Sequence, residues 1–165
     1  MVTKEQADAL ASKAIQIVEE ATAPIDDILL MIQGATDIET GAIRLSMDEL
    51  YTIAIRLPVE CGFLQSHINC RLIKQRLQEI VTESKVTESI TMLRECKGDA
   101  RERQRRAECM NDLDILSDET ARQIVQAMQT AIIRADKVYE GVKKIIDAKA
   151  RESNFDRKPG YPVGN

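Results

Sequence analysis

The stretch ARQIVQAMQTAIIRADKVYEGVKKII, residues 121–146, sets the fold class. Ala121, Ile124, Met128, Ala131, Ala135, Val138, Val142 and Ile145 follow one another at alternating spacings of three and four, and Val125, Ile132, Tyr139 and Ile146 form a second row that repeats every seven. Apolar residues held to a period of about 3.5 specify a helix that buries one continuous seam against other helices, because a straight helix drifts about 20° per heptad away from that repeat. Alanine at several positions lets a neighbouring helix come close, and the second row asks for a second neighbour. The seam formed by Ile124, Val125, Met128, Ile132, Val138, Tyr139, Val142, Ile145 and Ile146 serves in one of two ways. It is either an internal core packed on residues 86–116 or a surface between copies of the chain.

Reading outward from this seam, Ser117-Asp118-Glu119 supplies an N-cap with acids in the first turn, and the final helix runs from there to about Glu152. Gly141 weakens it by about 1 kcal/mol relative to alanine. The short polar connection at 113–118 makes the preceding helix an antiparallel neighbour, so the expected core is a long helical hairpin. Residues 154–165, with Pro159, Gly160, Pro162 and Gly164, read as an extended tail.

Toward the N-terminus, Thr3-Lys4-Glu5-Gln6 has the form of a capping box. A helix of about 19 residues follows from it, carried by Ala7, Leu10, Ala11, Ala14, Ile15, Val18 and Ala21 and interrupted at Pro24. Residues 25–32 form a short second helix, and residues 34–45 a loop that separates two parts of the chain. A second capping box, Ser46-Met47-Asp48-Glu49, leads into Leu50, Ile53, Ala54 and Leu57, with a kink at Pro58. Beyond it Cys61, Leu64, Ile68 and Leu72, then Leu77, Ile80 and Val81, continue a helical face that Val86, Ile90 and Leu93 extend to Gly98, as one long helix or two. The resulting division is an acidic helical segment over 1–45, a helical hairpin or bundle over 46–153 and a tail over 154–165.

Composition agrees with an all-α chain. The 165 residues include no Trp, two Phe and three Tyr, and 30% are charged. Helix formers dominate, as in long helices and coiled coils. The charged N-terminus offers no apolar leader and no stretch approaches the roughly 20 apolar residues of a membrane span, so the expected setting is the cytoplasm, without a membrane partner. Cys61, Cys70, Cys96 and Cys109 lack the short spacing of a zinc or redox site and read as free thiols. His67, the single histidine, pairs with Cys70 three residues on, but nothing supplies two further ligands. No phosphate-cradling glycine loop or nucleophile elbow is present, so no catalytic residue, metal or cofactor is expected and the chain reads as non-enzymatic.

Charge is unevenly spread. Residues 1–50 hold ten acids against Lys4, Lys13 and Arg44, a net of −7, whereas the other 115 carry 20 bases and 17 acids, a net of +3. The densest feature is Arg94 to Arg106, with Arg94, Lys97, Arg101, Arg103, Arg105 and Arg106 against Glu95, Asp99 and Glu102. On one continuous helix Arg94, Lys97, Arg101 and Arg105 would share a face and meet successive phosphates of a single strand. Arginine outnumbers lysine five to one here, and guanidinium is the better bidentate partner for phosphate. The plainer reading is a solvated face whose acids pair with these arginines inside the helix.

Val86-Thr87-Glu88, Leu93-Arg94, Lys97-Gly98-Asp99-Ala100-Arg101-Glu102-Arg103, the polar break from Asp112 to Asp118 and the heptad helix carrying Lys143-Lys144 and Arg151 resemble small helical proteins of tailed bacteriophages. Among these the chain looks most like the recombination mediators, over about residues 82–153; the acidic first 50 residues have no counterpart there. The resemblance implies subunits in a helical ring, a recombination protein as partner and single-stranded DNA held by Arg94, Lys97, Arg101, Arg103, Arg105 and Arg106. Charged helical hairpins also occur in phage scaffolding and in inhibitors of host defence enzymes. The alternatives are thus an assembly protein acting through helix–helix oligomerisation, with the virion as a setting, and an inhibitor whose Asp26, Asp27, Asp37 and Glu39 imitate phosphates.

Overall fold

The computed structural model describes residues 2–37, 39–95 and 98–156. The fold is all-α, and its long helices pack against each other. The helices are α1 (Lys4–Gly34), α2 (Met47–Met92), α3 (Ala100–Met110) and α4 (Asp112–Asp156), with a 3-10 turn at Leu93–Glu95 after α2. Both capping boxes are formed. Gln6 N donates to Thr3 Oγ1 at 3.2 Å while Thr3 N donates back to Gln6 Oε1 at 3.0 Å. Ser46 and Glu49 repeat the exchange, at 3.3 and 2.8 Å, and the Ser46 hydroxyl, donating to the Glu49 carboxylate at 2.7 Å, followed by the Ser46 amide, holds that carboxyl below its ordinary pKa.

The helix boundaries correct the sequence reading in two places. Pro24 does not interrupt α1, whereas α2 continues past Pro58 as expected. A proline inside a helix costs about 3 kcal/mol and one backbone bond, but Ile25, Ile28 and Ile32 on one side and Leu57 and Cys61 on the other are buried, and that packing outweighs the local penalty. Helix α4 starts at Asp112, not at Ser117, so the connection expected at 113–118 is itself helical. The arms of the hairpin are therefore α2 and α4, with α3 between them in the chain. Of the expected tail, 154–156 continue α4 and 157–165 lie outside the described residues.

The contacts fall into two units, and each draws on α1, α2 and α4. Unit 1 comprises 1–23 with 63–131, and unit 2 comprises 24–62 with 132–165. The loop after α1, expected as a boundary, lies inside unit 2. Unit 2 is closed by aliphatic packing of Ile25, Ile28, Ile32, Leu50, Ile53 and Leu57 with Ala135 and Val142. Arg134 pairs with Asp26 at 2.7 Å, and Lys149 donates to the Leu45 carbonyl at 2.7 Å. In its loop, Gly41 takes φ 67°, where glycine has no steric cost, and Thr36 bridges to Ile43. Asp37 caps this turn by accepting from the Thr40 and Glu39 amides and pairs with Arg44; these bonds, Thr40 first, lower its pKa.

Unit 1 is more polar inside. Leu64, Ile68, Ala107, Ile124, Val125, Met128 and Ala131 are buried together with Thr82, Ser89 and Asp118. Lys85 pairs with Asp114 at 2.8 Å and Arg122 with Glu79 at 3.0 Å, so α2 and α4 run antiparallel in this unit. Asn111, which ends α3, donates to Ser89 Oγ at 3.0 Å and to the Ala107 carbonyl at 2.8 Å. The turn from α3 into α4 is thereby tied to α2.

Candidate functional site

The basic segment does not form one continuous face. Arg94 sits in the 3-10 turn, Gly98 at φ 145° breaks the chain direction, and α3 begins afresh after Asp99, whose carboxylate accepts from the Glu102 amide at 2.7 Å. The local reason lies in Gly98, whose φ no helical residue adopts, and in Asp99, a good N-cap that starts α3 anew. Lys97 lies outside the described residues. Arg103 is half-buried and donates to the Gly98 carbonyl at 3.3 Å, while Arg106 pairs with Glu102 one turn back. Arg101 and Arg105, one turn apart on α3, and Arg94 stay exposed and make no ion pair among the described residues.

The α4 seam faces its own chain. Ile124, Val125, Met128 and Val142 are buried, and Ile132, Val138, Tyr139, Ile145 and Ile146 are half-buried. Most of the large apolar side chains left open lie on α2 instead. In unit 1, Phe63, Ile73, Leu77, Ile80 and Val81 are exposed, Leu77 to 60% and Ile73 to 65%. Phe63, exposed Cys70 and Leu77 recur every seven residues, as do Ile73 and Ile80. At 3.6 residues per turn Ile73, Leu77 and Ile80 lie opposite the row Leu64, Ile68, Thr82 and Ser89, and Phe63 and Cys70 lie to one side of it. The expectation that Leu77, Ile80 and Val81 continue the face of Leu64 and Ile68 is thus corrected. Past Ile68 the pattern inverts: Arg71, Gln75, Gln78 and Glu79 take the half-buried positions, and the aliphatic residues point outward. Arg71 Nε and Gln75 Oε1 are buried there without hydrogen-bond partners.

A groove of about 1250 Å³ opens in unit 1 between α2, α3 and the start of α4. Val86, Ile90, Ile115 and Leu116 form its apolar lining, and Glu83, Arg105, Glu108 and Glu119 stand around it. Glu79, also in the lining, is held well below the usual carboxylate range, at about 2, by the Gln75 side chain and then by Arg122 and Arg76. A carboxyl whose folded pKa is depressed stabilises the fold above its ordinary value of 4.5, and that contribution disappears as pH falls toward about 2. Glu79→Gln should therefore flatten the loss of stability between those two pH values. An acid-unfolding curve with the wild-type slope would show that Glu79 carries none of it.

Cys61 is buried, which pushes its thiol pKa up, with Asp136 and Glu60 adding to the rise; Cys70 and Cys109 are free and exposed. Cys96 lies outside the described residues. His67 is exposed, and among the described residues no group of three or more His, Cys, Asp or Glu side chains is placed to hold a metal ion. No described helix is long and apolar enough to cross a membrane. No protein-family model, curated protein or solved structure matches the chain.

Proposed function

We propose that this protein is a non-enzymatic assembly protein whose copies associate helix to helix through the outward face of α2. The observation that carries the reading is the inversion after Ile68, which leaves Ile73, Leu77, Ile80 and Val81 in water while Arg71 and Gln75 turn inward. Contiguous apolar surface of this kind marks an interaction site. A seven-residue recurrence along it calls for another helix, and a second copy brings an identical one. With α4's seam turned inward, α2 takes the oligomerising role that the sequence offered to α4.

A second reading rests on Arg94, Arg101 and Arg105, exposed and without ion pairs among the described residues. These guanidinium groups suit the phosphates of single-stranded DNA, as the resemblance to recombination mediators implies, although α3 offers two successive contacts where a continuous helix would have offered four. The mass of the protein in solution, with and without a short single-stranded oligonucleotide, tests both readings. The assembly reading expects a multimer whose mass the oligonucleotide leaves unchanged. A monomer sinks it, and an oligonucleotide complex that weakens with salt and is lost in Arg101→Glu/Arg105→Glu establishes the DNA reading.

A further inference from the structure

We infer that the groove of unit 1 is a receptor for a basic, apolar peptide, and that its occupant is the segment RKPGYPV, residues 157–163, of a second copy of the chain. Asp118 lines the groove, is only 7% exposed and keeps one carboxylate oxygen, Oδ1, without a hydrogen-bond partner. Thr82, 6% exposed and in the same lining, has an unpartnered hydroxyl. A polar group buried without a partner is costly, and a buried carboxylate is best compensated by a cationic donor. Arg122 is near enough for its charge to act on Asp118 but gives Oδ1 no hydrogen bond, its Nε and Nη2 being spent on Glu79 at 3.0 Å.

The surroundings select for charge and apolarity together. Glu83, Glu108, Asp118 and Glu119 outnumber Arg105 and Arg122 in the lining and bias the groove toward cations, and Val86, Ile90, Ile115 and Leu116 offer aliphatic area to the rest of a ligand. Residues 157–163 supply both: Arg157 and Lys158 with no acid, then Tyr161 and Val163. The segment follows the last turn of the 45-residue α4, whereas the groove takes α4's first turns, which favours the groove of another copy. The contact is separate from the α2 face and does not depend on it.

Equal amounts of full-length chain at natural and heavy nitrogen isotope abundance, mixed and treated with a zero-length carbodiimide, test the contact. Lys158 should couple to Glu83, Glu108 or Glu119 between chains of different isotope. Excess synthetic peptide RKPGYPVGN should suppress those links at least tenfold. Links confined to single-isotope pairs, links to carboxylates outside the groove, or no suppression would overturn the assignment. In anisotropy titrations of the labelled peptide against the full chain, Asp118→Asn should weaken binding at least fivefold, and unchanged affinity overturns it. If Asp118→Asn fails to fold, Thr82→Val takes its place with the same expectation. Leu77→Glu/Ile80→Glu should leave the links intact, so loss of the α2 association and loss of the tail contact are read separately.

Discussion

Leu77→Glu combined with Ile80→Glu yields a monomer that keeps the helix content and the unfolding midpoint of the parent chain. Both side chains are exposed within one copy, so glutamate there removes no internal contact, and surface changes of this kind stay within about 0.5 kcal/mol of neutral. Between copies the effect is large. Burying each of these side chains is worth about 1.5–3 kcal/mol, and a symmetric pair contains every substitution twice. The lower figure gives about 6 kcal/mol, or about four orders of magnitude in dissociation constant. Sedimentation of wild type and variant at the same micromolar concentration reads this directly. Equal masses for the two, whether both monomeric or both assembled, would remove α2 from the interface.

Leu57→Ala produces the opposite pattern: a large loss of stability. Leu57 is on the same helix but is fully buried in unit 2, where Ile53, Leu50 and the isoleucines of α1 make up the core. Truncation there removes the transfer energy of the side chain and leaves a cavity, typically costing about 2–5 kcal/mol. For a chain of this size that is a fall of roughly 4–20 °C in the midpoint of thermal unfolding followed by circular dichroism. A fall below about 2 °C would mean that the site collapses around the smaller side chain or that Leu57 is less enclosed than the fold shows. The contrast between Leu57 and Leu77, the same residue type twenty positions apart, separates a buried from an exposed position on one helix.

Local chemistry made part of this architecture readable in the chain. The two capping boxes announce the starts of α1 and α2 because their partners lie three residues apart, and the recurrence along residues 121–146 marks α4 because few other structures tolerate it. Pro24 misled because a breaker's penalty is local and the burial that outweighs it is not. Around Arg94 to Arg106 high helix propensity argued for one rod, whereas a single glycine at φ 145° divided it. The inversion in α2 was hidden for a different reason. Leu64, Ile68, Leu77 and Ile80 each fit a helix, and periodicity over such a length does not reveal on which side of the axis a partner stands. The groove was not legible at all, since Thr82, Asp118 and Glu108 come from three separate helices and share no motif.

The way each unit is assembled from three distant sections governs how the polypeptide can mature during its synthesis. Neither core closes until α4 has emerged from the ribosome, because Met128 completes one and Val142 the other. Until then α2 is a nascent helix with grease on two sides, one that its own chain will cover and one that stays open in the finished fold. Were copies to associate as proposed, translation of neighbours on a single message would bring the open surfaces together while the others still lack their lid.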